Sequence, residues 1–282
     1  EKKYRTGFSI VVAMELISHL IAEDPHCDEC FKSLCLKFNQ TKNFDQESKS
    51  LKGTFYPPLN VILPKVFFDT DGPYLVMYKG IIELSEKLTR GYDISNIELY
   101  KTQVQKVKEQ VLFEKEEIRN NYEDYLKYIG DEDVDWQYFR KNKSDRKKWF
   151  ADLKNGKSTL FVAEGFMKRA FKILDKKYER NDKNFEDFVK FYNEFYPALA
   201  MNELLLEQLG NGTISLQDHT DKKWNTINDI SIMFGMLFKN LEQNKFLVSE
   251  EKKFKEIFQK IEMDRKILNL DEYQEVLGIN VC

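Results

Sequence analysis

The stretch from Ile97 to Ile129 is the feature that most constrains the fold of this chain. Apolar side chains recur in it at intervals of a few residues, and charged side chains fill most of the remaining positions. Such spacing places the apolar residues on one face of an α-helix, so the stretch predicts one long amphipathic helix. The apolar positions are Leu99, Val104, Val107, Val111, Phe113, Ile118, Tyr122, Tyr125 and Leu126.

Strands and helices are predicted to alternate at both ends of the chain. Phe8 to Val12 is a short β-branched apolar run that predicts a buried strand, and Met14 to Ala22 then has helical spacing. Near the other end, strands are predicted over 245–249 and 266–270, and helices over 224–240, 250–261 and 271–277. This alternation predicts a parallel sheet with helical crossovers, to which both ends contribute.

The middle of the chain is predicted to be helical. Asp24 and Pro25 provide an N-cap and a first-turn proline for a helix through about Phe38, and a polar loop follows over 39–53. Further helices are predicted over 74–88, 159–179 and 185–209, the last interrupted by Pro197. The predicted fold class is therefore a helix-rich α/β protein with a small parallel sheet and a large all-helical segment between its two ends.

The charges of the chain nearly cancel, with 44 basic and 47 acidic residues and a formal net charge of -3. No positive field covers the whole protein, so any nucleic-acid site must be local. No run approaches the roughly 18 consecutive apolar residues of a transmembrane helix, and no signal peptide is recognisable at the start. We therefore expect a soluble, cytoplasmic protein with no membrane partner.

The cysteines indicate a reducing compartment, because four in a chain of this length do not form a disulfide pattern. Cys27, Cys30 and Cys35 lie close together and His26 adjoins them, which suggests a zinc site. A structural zinc site needs a second ligand pair at suitable spacing, and the sequence has none. We therefore favour small apolar cysteines on a helix.

Acidic residues occupy positions where ligands usually bind in α/β proteins. Glu15 directly follows the first predicted strand, and Asp229 lies near the start of a helix in the C-terminal part. Glu250 and Glu251 follow the strand over 245–249. Open parallel sheets bind ligands at the carboxyl ends of their strands, so these acids are candidate site residues. Each acid also has a structural alternative. Glu15 would interact with the helix dipole, and Asp229 would cap its helix or pair with a nearby lysine. Glu250 and Glu251 would belong to a capping box at the start of the next helix.

The order and context of these acids resemble the PIN-domain family of metal-dependent ribonucleases. Phe8 to Leu16 resembles the family's second strand and Glu-bearing helix, and Asn228-Asp229-Ile230-Ser231-Ile232 resembles its Asp-bearing helix. Phe246 to Phe254 is similar to the strand and turn that carry the next acid, and 266–273 is similar to the last strand and short closing helix.

This resemblance implies a PIN-like α/β core made of residues 1–38 and 220–282, with residues 39–219 as a helical insertion or cap. The implied catalytic and metal-binding acids are Glu15, Asp229 and Glu251, with Glu250 as a further metal ligand. Such acids hold Mg²⁺ or Mn²⁺, which activates water and neutralises charge on the scissile phosphate. The implied activity is hydrolysis of RNA, single-stranded or structured, and the insertion would shape substrate access or bind a protein partner.

The chain departs from the family's pattern in two places. Glu251 stands where the family usually has Asp, and no strand ending in Asp precedes Glu15. Because the chain begins at Glu1 and not at Met, we expect that strand to lie upstream of Glu1. If the native protein lacks the strand, the metal site lacks an anchoring carboxylate and the chain is a pseudo-nuclease.

Two polar neighbours join the candidate site. His19 lies four residues after Glu15 on the same helix face, where it would orient the carboxylate or contact a phosphate. The alternative is a core histidine with its own hydrogen-bond partner. Asn228 directly precedes Asp229 and is included with it.

A basic and aromatic cluster is the strongest local candidate for RNA binding. Single-strand binders combine cations, which contact phosphates, with aromatic rings, on which bases stack. The residues are Arg140, Lys141, Arg146, Lys147 and Trp149. The alternative is a solvated charged face, neutralised by the acids between Asp131 and Asp135.

The sequence is also compatible with a second function, that of a non-catalytic helical interaction or regulatory protein. The candidate acids would then be helix caps, and the long helix over 97–129 would present its apolar stripe to a protein partner beside a degenerate nuclease core. The chain has no P-loop, no dinucleotide-binding glycine pattern and no nucleophile elbow, so kinase, dehydrogenase and serine-hydrolase functions lack support.

Overall fold

Helices make up most of the structure, and the strands are two to four residues long. The computed structural model describes residues 6–21, 23–45, 50–129, 138–214, 225–238, 245–249, 252–260 and 266–277. The helices are α1 (Ile10–Ser18), α2 (Cys27–Gln40), α3 (Leu59–Phe68), α4 (Tyr74–Leu88), α5 (Asn96–Leu99), α6 (Lys101–Ile129), α7 (Tyr138–Lys141), α8 (Lys143–Lys154), α9 (Lys157–Ile173), α10 (Asp182–Gly210), α11 (Thr226–Leu237), α12 (Lys252–Lys260) and α13 (Leu270–Leu277). The strands are β1 (Phe8–Ser9), β2 (Lys42–Asp45), β3 (Ser50–Gly53), β4 (Phe55–Tyr56), β5 (Leu247–Val248) and β6 (Ile267–Leu268).

The first apolar run is mainly a helix, and the strand predicted over Phe8 to Val12 is wrong beyond Ser9. Helix α1 begins at Ile10, and its apolar side chains are buried on several sides. A short apolar run enclosed in this way fits a buried helix as well as a strand, and periodicity does not separate the two. Glu15 therefore lies in the second turn of α1, beyond the first turn where a helix dipole acts most strongly.

The strands form three separate pairs within the described part of the chain. β1 pairs in parallel with β4, and β5 pairs in parallel with β6, so the strands of the two ends do not share a sheet. β2 and β3 form an antiparallel hairpin where a polar loop is predicted. The helix-rich α/β class with small parallel sheets is confirmed, and the PIN-like arrangement stays a prediction.

Several predicted helices are confirmed by the structure. α2 buries the predicted face formed by Phe31, Leu34, Cys35 and Phe38. α4 has the predicted bounds. α10 continues through Pro197, because the apolar residues around this proline are buried in the core and their packing outweighs one missing backbone hydrogen bond. None of the described helices combines the length and apolarity that a membrane crossing requires.

Helix α6 runs along both hydrophobic clusters of the protein. Its first half contributes Val104 and Val107 to a cluster with α1, α2 and α4. Its second half contributes Ile118, Tyr122 and Tyr125 to a larger cluster with α3 and the helices from α7 to α12. With 29 residues, α6 is about 43 Å long, which lets one helix serve both clusters.

The two clusters cut across the division predicted from the sequence. The N-terminal helices α1 and α2 pack with α4 and α6, which belong to the predicted insertion, although α1 and α11 also contact each other. The described part of the stripe on α6 is largely buried in these clusters, although Phe113 is 48% exposed; Leu99, which belongs to α5, is 73% exposed. A buried stripe is not available to a protein partner, so that part of the alternative function is wrong.

Gly210 tests the packing of the larger cluster. A Cβ at this position would lie 2.7 Å from the Trp149 ring, which is fully buried and whose Nε1 donates to the Leu206 carbonyl oxygen at 2.8 Å. We expect Gly210→Ala to lower the free energy of unfolding by about 1–3 kcal/mol, because the ring or the helix must move. Chemical denaturation would measure the change.

Gly80 provides the matched control for this substitution. It lies inside α4, and a Cβ there would meet nothing within 4 Å. Gly80→Ala should therefore raise the free energy of unfolding by about 0.5–1 kcal/mol, the usual gain for alanine inside a helix. Equal effects of the two substitutions would show that Gly210 is not packed tightly against Trp149.

Candidate functional site

Lys115 lies near two of the predicted acids, Glu15 and Asp229, whose charges act on its ammonium group. These three residues come from α6, α1 and α11, which pack against one another. Burial lowers the pKa of the Lys115 ammonium, and the nearby Glu15 and Asp229 carboxylates partly offset this by raising it. The Lys115 Nζ also donates a hydrogen bond to Asn225 Oδ1 at 2.9 Å. The structure thus brings two acids from opposite ends of the chain near one half-buried cation.

A small cavity adjoins Lys115 and is also lined by Glu114, Asn228 and Ser231. Its volume of about 20 Å³ is enough for one water molecule. The Asn228 side chain is buried, and its Nδ2 has no hydrogen-bond partner among the described residues. A buried amide donor of this kind requires an acceptor, and a water molecule in the cavity would supply one.

A second polar cluster surrounds Glu114, the neighbour of Lys115 on α6. Asn60 Nδ2 donates to Glu114 Oε1 at 3.3 Å, and Asn60 Oδ1 accepts from Arg169 Nε at 2.8 Å. Arg169 also pairs with Glu117 at 3.0 Å. Burial raises the pKa of Glu114, and hydrogen bonds from Gln110 and Asn60, together with the Arg169 charge, partly offset this.

The sequence carries one signal for these buried charges that our prediction did not use. The apolar stripe of α6 includes Val111 and Ile118, and the turn between them places Glu114 and Lys115 on the same side of the helix. A charged pair at that point of an otherwise apolar stripe has to be neutralised by other elements. This interruption of the apolar stripe would have predicted both Glu114 and Lys115 as candidate site residues.

Glu15 and Asp229 are carboxylates, the kind of ligand that Mg²⁺ and Mn²⁺ prefer. Both also act on the same ammonium group, that of Lys115, so both lie near one positive charge. Glu250 and Glu251 lie outside the described residues. Within the described part of the chain, no group of three or more His, Cys, Asp or Glu side chains is arranged to hold a metal ion.

His19 does not orient Glu15, so that assignment is wrong. Its Nδ1 lies 2.8 Å from Asp24 Oδ2, and the Asp24 carboxylate also accepts from the backbone N–H of His26. His19 directly follows the last residue of α1, where the chain turns towards α2. The ring therefore ties the α1–α2 connection together.

The cysteines lie on α2 near the His19–Asp24 contact. Cys27 and Cys30 are half-buried and Cys35 is buried, and all three are free thiols. Burial raises the pKa of each thiol, and nearby carboxylates, including that of Asp24, raise the pKa of the first two further. A thiol with a raised pKa is a weak nucleophile and a weak metal ligand at neutral pH.

The basic cluster divides into an exposed part and a buried part. Lys141, Arg146 and Lys147 are exposed on α7 and α8, and the side chain of Arg140 lies outside what the structure describes. Trp149 is fully buried and packs on Tyr125, with ring centroids 4.9 Å apart. Trp149 therefore belongs to the core, and its assignment as a base-stacking residue is wrong.

Comparison with protein-family models, with curated proteins and with solved structures finds no match in any of the three. The function of this chain is therefore inferred from the geometry of these residues.

The pKa of Lys115 tests whether the two acids act on it. We expect Glu15→Gln and Asp229→Asn each to lower this pKa further, because each removes a negative charge that favours the ammonium form. An NMR titration of isotope-labelled lysine side chains would measure the shift, with the Lys115 signal assigned from Lys115→Met. An unchanged pKa in both variants would mean that the carboxylates lie too far from Lys115.

The pKa of Glu114 predicts a pH dependence of stability. A raised pKa means that the folded state binds this proton more tightly than the unfolded state. The protonated Glu114 side chain therefore stabilises the folded state fully below the unfolded pKa of about 4.3, and this stabilisation is lost as the pH rises through the folded pKa. We expect Glu114→Gln to reduce this loss and to raise the free energy of unfolding at neutral pH.

Glu109→Gln is the matched control for this measurement. Both glutamates lie on α6 and accept a hydrogen bond from a glutamine four residues earlier, at 2.9 Å for Glu114 and 3.1 Å for Glu109, but Glu109 is exposed. Denaturation curves between about pH 4 and pH 8, a range that begins near the unfolded pKa of a glutamate, would compare the two variants. The same pH profile in both would exclude a special role for burial at Glu114.

Proposed function

We propose that this chain is a divalent-metal-dependent ribonuclease of the PIN-like type, in which Glu15 and Asp229 bind the metal ion and Lys115 binds the substrate phosphate. The observation that carries the proposal is that Glu15, Lys115 and Asp229 lie on three helices that pack against one another, with both carboxylates acting on the Lys115 ammonium. These two acids were chosen from sequence context, and they come from distant parts of the chain. A shared position is what a common catalytic task would require of them.

The residues around Lys115 suit the parts of a phosphodiester hydrolysis. A bound Mg²⁺ or Mn²⁺ ion activates water and neutralises charge on the scissile phosphate. Glu15 and Asp229 would supply oxygen ligands from α1 and α11. The Lys115 ammonium, held by Asn225, would contact a phosphate oxygen and stabilise the charge that develops on it. Asn228 would hold a water molecule in the adjoining cavity.

RNA binding would use the exposed basic side chains of α7 and α8. Lys141, Arg146 and Lys147 are exposed, and a local group of cations is what a chain of nearly balanced charge needs in order to attract phosphates. Helices between residues 39 and 219 carry these side chains, so we assign substrate binding to the predicted insertion.

The second candidate is a non-catalytic interaction protein in which Lys115 is a structural counter-ion. The same observation supports it, because an ammonium group near two carboxylates offsets their charge without any metal. The chain would then have a degenerate nuclease core. The two candidates differ in what happens when Lys115 is removed and when a metal ion is offered.

Mn²⁺-dependent cleavage of a labelled RNA pool would test the proposal. We expect Glu15→Gln and Asp229→Asn to reduce the cleavage rate by about 100-fold or more, the scale on which a lost charge-stabilising group acts. Glu109→Gln, an exposed glutamate on α6 that contacts neither acid, should leave the rate unchanged. Cleavage that survives both acid substitutions would contradict the assignment.

Lys115→Met separates the two candidates. For the ribonuclease, cleavage should be lost while calorimetry still detects Mn²⁺, which binds more tightly because a competing cation is gone. For the structural counter-ion, neither the variant nor the unchanged protein should bind Mn²⁺. The variant should also be less stable, because the positive charge that favours the two carboxylates is gone. The second result would overturn the ribonuclease proposal.

A further inference from the structure

A cavity of about 570 Å³ lies at the C-terminal half of α6, between α8, α9 and the start of α10. Its size is within the range of small-molecule sites in proteins. Tyr125 on its wall and Lys115 are ten residues apart on α6, which corresponds to about 15 Å along the helix axis. The cavity is therefore separate from the candidate metal site and is carried by the same helix.

Aromatic rings form one wall of this cavity. Phe161 packs on Tyr125 with ring centroids 4.5 Å apart, and Phe188 stacks on Tyr192 at 6.1 Å. Phe185 lies at the rim and is 66% exposed, although it is a large apolar side chain. An exposed aromatic ring beside fixed rings is a surface on which a flat molecule can stack.

Three cations and two carboxylates also line this cavity. Arg180 is held by two hydrogen bonds to the Glu164 carboxylate at 2.8 and 2.9 Å, and Lys157 pairs with Asp152 at 3.4 Å. Lys148 also lines the cavity and forms no ion pair within the described part of the chain. Three cations against two carboxylates leave one positive charge for an anionic ligand.

We infer that this cavity binds a nucleotide: a planar base against the Phe185 wall and a phosphate at Lys148. An aromatic wall suits a base because every base has a π-face, and an unpaired lysine suits a phosphate. Arg146 and Lys147 are exposed on the same helix as Lys148, so the nucleotide is either free or the end of an RNA strand. The inference goes beyond the proposed function, because binding here requires no cleavage.

Binding measurements with two probes test this inference and identify the source of the nucleotide. Calorimetry with AMP and UMP represents the free nucleotide. Fluorescence anisotropy with a labelled, 2′-O-methylated oligonucleotide, which cannot be cleaved through a 2′-hydroxyl, represents the strand. Both are carried out in EDTA, so that the candidate metal site does not contribute. We expect Phe185→Ala and Lys148→Gln to weaken binding by about tenfold or more, the scale of a lost base-stacking contact.

Two exposed residues outside the cavity provide the controls. Phe113→Ala removes an aromatic ring that is 48% exposed on α6, and Lys154→Gln removes an exposed lysine on α8. Both control variants should bind the nucleotides and the oligonucleotide with the affinity of the unchanged protein. Binding of AMP or UMP would assign a free nucleotide, and binding of the oligonucleotide alone would assign an RNA strand.

Failure of this inference differs from failure of the proposed function. If the folded protein binds neither probe, or if the control variants weaken binding as much as the cavity variants, the inference is overturned whatever the cleavage assay shows. If the cavity binds a nucleotide and no Mn²⁺-dependent cleavage occurs, the inference stands and the ribonuclease proposal falls.

Discussion

The partial burial of two charged groups halfway along α6 is the constraint on which the rest of the structure depends. A buried charge costs several kcal/mol unless other groups pair with it, and α6 places Glu114 and Lys115 between its two apolar halves. Each charge has a set of partners from other helices. Asn60 and Arg169 lie against Glu114, while Glu15 and Asp229 act on Lys115. The packing of α1, α3, α9 and α11 around α6 is therefore fixed by polar contacts as well as by apolar area.

This arrangement joins folding and function in the same residues. The groups that neutralise Lys115 are the groups that we propose as metal ligands, so a substitution at Glu15 or Asp229 changes the electrostatics of the core as well as the site. Proteins often accept such a loss of stability where a site requires it. A half-buried acid with a raised pKa, Glu114, next to a half-buried cation is typical of places where a protein performs chemistry.

Helix α8 shows how one element can serve two surfaces. Its buried face carries Trp149, which packs on Tyr125 of α6 and donates to α10. Its other face carries lysines, and Lys148 lies where that face meets the aromatic cavity. The tryptophan holds the helix in place, and the lysines provide the charge. The basic cluster in the sequence thus combines a packing residue with binding residues, because neighbouring positions on a helix point in different directions.

The sequence by itself determined most of the helices and named two residues of the candidate site. α2, α4 and the body of α6 follow from apolar periodicity, which is a local property of the chain. The first apolar run became α1 instead of a strand because burial on several sides is not a local property. Glu15 and Asp229 were recognisable from their context, whereas the role of Lys115 was decided by tertiary structure alone. A lysine in a charged helix faces water unless other elements cover it, and only the packing of α1 and α11 against α6 brings two carboxylates to this one.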